Sequence, residues 1–145
     1  MSEVAALGLR YLEVAHQVRR KIDEQLAADG ISLARLKLLQ AVDRHAPVNQ
    51  AALAENLTMA PRSITQAVEA LERDGLVRRT AAPGDRRSKL VVLTAAGSAT
   101  LATGVAAGEK AVEQAFGALD AGQLASLRAL LDTVEAGTTD ADVTR

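Results

Sequence analysis

The chain has 145 residues, 48 % of them apolar, and its only aromatics are Tyr11 and Phe116, so a single compact unit with an aliphatic core is expected. It has no cysteine, which excludes disulfides, thiol redox chemistry and zinc–thiolate sites, and its only histidines, His16 and His45, lie far apart in sequence, which argues against a histidine-rich metal centre. The net charge of −1 conceals a segregation: residues 1–59 balance, residues 60–90 carry +3, and residues 91–145 carry −4. A field that attracts phosphates is therefore confined to one central stretch.

Val4, Leu7, Tyr11, Val14, Val18, Ile22 and Leu26 step by three or four, which predicts one apolar stripe on a long first helix stopped by Gly30. Tyr11, on that stripe, is expected in the core, and His16 on the surface or in a dimer contact. Ser32 is placed to cap a second helix carrying Leu33, Leu36, Leu39 and Val42, ending before Pro47. Asn49 is placed to cap a short third helix, Gln50 to about Asn56. Ala60-Pro61 opens a fourth, with Ile64, Val68 and Leu71 facing inward and Gly75 at its end. The period then changes. Leu76–Thr80 and Lys89–Leu93 read as two short strands joined by an eight-residue turn, Ala81 to Ser88. Thr94 caps a long fifth helix, and Asp120 with Gln123 forms a capping box for a sixth that Gly137 ends. The fold class expected is mainly α with a small β-hairpin.

No apolar run approaches the ~18 residues of a membrane helix, and the N-terminus lacks a signal-peptide pattern. A cytoplasmic protein without a cofactor is expected. Nothing suggests an enzyme, since there is no glycine-rich phosphate loop and no plausible nucleophile–base pair.

Residues 49–74 read as a helix, a tight connection at Leu57-Thr58-Met59, and a second helix. This is the compact geometry a helix-turn-helix needs to project one helix into a major groove about 12 Å wide. Arg62, Ser63, Thr65 and Gln66 lie on its outer face, where each can bond base edges or phosphates. From the helix pair alone, a helical hairpin with a solvated polar face explains these residues equally well. The hairpin shifts the balance. Asp85, Arg86, Arg87 and Lys89 cluster at its tip, and arginine suits a narrow, electronegative minor groove. Asp85, two residues from Arg87, is placed to orient that side chain by a charge-assisted hydrogen bond. An ordinary charged turn is the usual alternative, but it loses ground when helix pair and hairpin occur together.

The run Leu71-Glu72-Arg73-Asp74-Gly75-Leu76-Val77-Arg78-Arg79, then Asp85-Arg86-Arg87 and Leu93-Thr94-Ala95-Ala96-Gly97, resembles the MarR family of multiple-antibiotic-resistance-type regulators. The resemblance implies a winged helix-turn-helix over 31–93, dimerisation helices over 1–30 and 94–137, and a palindromic operator bound by a homodimer. It also implies that Arg87 is the wing residue entering the minor groove, with Asp85 as its partner. Ala60 departs from the family, where a capping Ser, Thr or Asp is common. Members of the family are often repressors released by a small ligand. Tyr11, His16, Arg10 and Arg35 are the few groups near the expected junction for an anionic one, but none is assigned as a ligand site. Residues 138–145 are expected to be a disordered tail. An adaptor without DNA binding is the rival reading, and the wing arginines argue against it. The apolar stripe and the helices after Thr94 predict a dimer interface, at which Gly104 and Gly108 would permit close helix approach.

Overall fold

Short-range capping decides where the helices begin. In the computed structural model, which describes residues 1–139, Ser2, Ser32 and Asn49 stand in extended backbone and accept the amide N–H of Ala5, Arg35 and Ala52. Each satisfies one of the donors that a helix start leaves unpaired. The helices that follow are α1 (Glu3–Ala28), α2 (Leu33–His45) and α3 (Gln50–Asn56). The next, α4 (Pro61–Arg73), has no side-chain cap, because Ala60 has none to offer; Pro61 opens it without an N–H of its own to satisfy.

The α3–α4 connection turns through Thr58 at φ 51°. A β-branched residue pays roughly 1–2 kcal/mol there, because its Cβ crowds the following carbonyl. Thr58 is exposed, so no packing offsets that strain. Thr58→Gly is therefore expected to raise stability by up to about 1 kcal/mol, the relief exceeding glycine's added backbone entropy. A lowered midpoint in chemical unfolding would contradict this.

Three antiparallel strands, β1 (Val48–Asn49), β2 (Val77–Ala82) and β3 (Asp85–Leu93), lie in the order β1-β3-β2. The two-residue β1, pairing Val48 with Val91, has no sequence signature. The hairpin is longer than expected. Its turn shrinks to Pro83-Gly84, with Gly84 at φ 78°, and Ala81, Ala82 and Asp85–Ser88 belong to the strands. Between the pairs Ala81↔Lys89 and Ala82↔Asp85 the register jumps. Residues 86–88 therefore have no partner across the hairpin and form a bulge.

The chain divides into two compact units, Met1–Ala111 and Val112–Arg145. In the first, Leu26, Leu39, Val42, Leu53, Ile64, Val68, Leu71 and Val91 are fully buried. Ile64, Val68 and Leu71 recur at helical spacing, so α4 buries one face and frees the other. Two segments of the quoted pattern meet at the start of α5 (Ala95–Phe116). Thr94 Oγ1 accepts the Gly97 N–H at 3.0 Å and donates to the Gly75 carbonyl at 2.6 Å, while Thr94 N–H donates to the Leu76 carbonyl at 3.1 Å. A Cβ on Gly97 would stand 1.9 Å from that carbonyl oxygen, so only glycine allows the approach.

Gly104 proves to be an intrachain contact: a Cβ there would lie 2.7 Å from Leu36 Cδ1 of α2, whereas Gly108 faces open space. The expectation that this pair marks the dimer interface is thus corrected for Gly104. Along α1 only the C-terminal end is seated. Leu26 is buried and Val18 and Ile22 are partly so, but Leu7 is 66 % and Tyr11 53 % exposed. Tyr11 is not in the core of the single chain.

In the second unit, α6 (Ala121–Thr139) begins at the expected capping box, with Asp120 accepting the Gln123 N–H and Gln123 accepting the Asp120 N–H. Gly137 does not end this helix, which runs on through Thr138 and Thr139. The rest of the expected tail, 140–145, lies outside the described residues. Leu124, Leu130, Leu131 and Val134 of α6 are exposed and none of its residues is buried. Among the described residues no helix is long and apolar enough to cross a membrane.

Candidate nucleic-acid interface

Because Ile64, Val68 and Leu71 fix the buried face of α4, the opposite face is determined. Arg62, Ser63 and Gln66 are exposed on its first two turns. No carboxylate appears on the helix before Glu69, so the positive end of the helix dipole and Arg62 act together on any anion placed there. Thr65 differs from the expectation. It is half-buried, its hydroxyl donates to the Pro61 carbonyl at 2.9 Å, and it accepts from Gln50 Nε2 at 3.1 Å. The hydroxyl proton is committed inside the module and is not free for a base.

At the wing, Asp85, Arg87 and Lys89 are exposed, and Arg86 lies in the same bulge. Asp85 Oδ1 accepts the backbone N–H of Arg87 at 2.9 Å. The expected carboxylate–guanidinium contact is thereby corrected: Asp85 shapes the bulge through the backbone, as an Asx turn does, and the Arg87 guanidinium points outward unpaired among the described residues. An open cleft of about 440 Å³ separates the start of α3 from the wing and is bordered by Gln50, Arg79, Asp85, Arg87 and Lys89.

Two ion pairs on this module were not anticipated. Arg79 of β2 grips Glu72 of α4 with Nη2 at 2.9 Å and Nε at 3.2 Å, and its backbone N–H also donates to Glu72 at 3.1 Å. The Arg79 hydrogen bond holds the Glu72 carboxyl below the usual carboxylate range, and Glu72 in turn raises the guanidinium pKa. Arg79 Nη1 reaches Gln50 Oε1 at 3.4 Å. The clue in the sequence was two opposite charges on either side of the Gly75 reversal, inside the pattern already quoted. Arg35, considered above for an anionic ligand, pairs with Asp74 and holds that carboxyl low. His16 and Arg10 are exposed on α1. The positive groups left facing outward on the module therefore include Arg62, Arg87 and Lys89.

A helix-turn-helix whose second helix frees a polar, cationic face, followed by a basic hairpin, defines a winged helix DNA-binding protein. The MarR family model matches residues 31–89. NicR from Pseudomonas putida, an HTH-type transcriptional repressor, is 32 % identical over 129 residues, spanning 86 % of this chain and 82 % of its own length. A mutant of MarR from E. coli, solved in complex with operator DNA, superposes with a TM-score of 0.76 at 27 % identity, over 91 % of this chain and 95 % of that one. A MarR-like regulator from Bacillus cereus shares the fold, with a TM-score of 0.81 at 22 % identity, over 92 % and 96 % of the two chains. The chain belongs to the MarR family and is a DNA-binding transcriptional regulator, not an enzyme.

Proposed function

We propose that this chain is a cytoplasmic homodimeric repressor of an inverted-repeat operator, released by a small-molecule effector. Residues 31–93 form its DNA-binding module, and 1–30 with 94–137 its dimerisation helices. Arg62, Ser63 and Gln66 of α4 read base edges in the major groove, and Asp85, Arg86, Arg87 and Lys89 form the wing contact. Thr65 holds the helix rather than a base. The observation that carries this reading is the free face of α4, where three donor-bearing side chains stand together on the first two turns. NicR, a repressor, and the operator complex of E. coli MarR support it. Two-fold symmetry places the half-site centres about one helical turn apart, roughly 10 bp.

The test separates the two kinds of contact. Arg87→Ala should weaken binding to operator and scrambled DNA by similar factors and lower the salt slope by about one unit per protomer, since one counterion fewer is released. Arg62→Ala and Gln66→Ala should instead reduce discrimination, by roughly 1–3 kcal/mol per lost base contact. Affinities for both duplexes across a salt series decide the matter. An unchanged salt slope in Arg87→Ala removes the wing assignment, and an unchanged specificity ratio in both α4 variants removes the base-reading assignment.

A further inference from the structure

We infer that Gln50 and Arg79, outside the DNA-reading set, are positioning residues that fix the first turn of α4 for base reading; the inference rests on the reading of α4 given above. Four half-buried side chains form one connected path. Glu72, in the last turn of α4, is held by Arg79 of β2; Arg79 donates to Gln50 of α3; Gln50 donates to Thr65, back in α4 one turn after its start. The path leaves α4 at one end and returns to it at the other, passing through the wing strand and the preceding helix.

The chemistry gives the path a single direction. A guanidinium only donates, so Gln50 must offer Oε1 to Arg79, which leaves Nε2 for Thr65. The one hydroxyl proton of Thr65 goes to the Pro61 carbonyl at 2.9 Å, so Oγ1 receives from Gln50. No amide flip or hydroxyl rotation preserves all the bonds. One end is anchored by a charged pair, which strengthens the bonds beyond it. Thr65 is followed directly by Gln66 and lies three residues from Arg62, so a shift of Thr65 displaces both readers. The readers' geometry therefore depends on two residues that need touch no base.

The experiment uses the full-length protein, an operator duplex selected from a random-sequence library, and a scrambled duplex of the same composition. Gln50→Ala and the near-isosteric Thr65→Val should each lower the operator-to-scrambled affinity ratio about five- to tenfold, the size of one hydrogen bond. Scrambled binding and the salt slope should stay native. The double variant should be no worse than either single one, because both break the same path. Thr65→Ser, which keeps the hydroxyl, should keep the native ratio. Additive losses, a native ratio in Gln50→Ala, an equal loss on both duplexes, or unfolding of both single variants would each overturn the inference. Arg62→Ala and Gln66→Ala serve as controls. If they too leave the ratio intact, the reading of α4 itself has failed; if they lower it while Gln50→Ala does not, only the positioning role has.

Discussion

Leu7→Asp combined with Tyr11→Asp is expected to halve the mass of the protein measured by light scattering at micromolar concentration and to reduce operator affinity by at least ~100-fold. Both side chains project from the apolar face of α1, more than half exposed in the single chain. An apolar face of this length on a regulator is stable in water when something covers it, and a second copy of the chain is the occupant that a two-fold operator requires. An obligate dimer of this kind is expected to bury well over ~2,000 Å². Covering each such side chain contributes about 1.5–3 kcal/mol. Substitution removes that gain twice over, because symmetry repeats it, and adds four carboxylates to be desolvated. Losing the second half-site then removes an avidity of about 10²–10⁴. Native mass with intact DNA binding would sink the dimer assignment for α1. Exposed Leu124, Leu130 and Val134 make α6 the second place to test in the same way.

Gly97→Ala is expected to cost more than about 3 kcal/mol, a fall of roughly 10 °C in Tm. The added methyl would lie 1.9 Å from the Leu76 carbonyl oxygen, and a backbone atom cannot swing aside as a side chain can. Relieving the clash would also pull apart the Thr94 bonds to the Gly75 and Leu76 carbonyls. Gly104→Ala should cost less, because its obstacle is the mobile end of Leu36. Gly108 has open space around it in the single chain, so a fall in Tm for Gly108→Ala would place that position against a partner chain rather than within this one. Differential scanning calorimetry of the three variants gives the order directly. A native-like Tm for Gly97→Ala would show that the junction yields.

Local interactions were the most legible part of this sequence. Ser32, Asn49 and the Asp120–Gln123 box act over three residues, so the residue pattern alone locates them, and the structure places each as expected. The buried stripe of α4 was legible for the same reason: periodicity of three and four is a property of one helix. What escaped was set by partners distant in the chain. Gln50 meets Arg79 across 29 positions and Thr65 across 15, and no local rule distinguishes a Thr held from behind from one that is free. Asp85 was assigned to the right neighbour but the wrong atom, because the sequence does not say whether a carboxylate finds an amide or a guanidinium first. Gly97 was readable as part of a family pattern, yet its reason lay in a carbonyl twenty-one residues earlier.

The bulge at 86–88 separates two things that a regular hairpin would couple. In a paired strand, one inserted residue turns every later side chain to the opposite face, and an insertion between Lys89 and Leu90 would carry Val91 out of the core where it is buried. Residues 86–88 have no cross-strand partners to disturb. Adding or deleting a residue there lengthens or shortens the loop by about 3.3 Å of chain while Lys89 keeps its pairing with Ala81 and Val91 its pairing with Val48 of β1. On the wing contact proposed above, the reach of this tip is adjustable without renegotiating the fold, so it is where the grip on DNA of any sequence would be retuned.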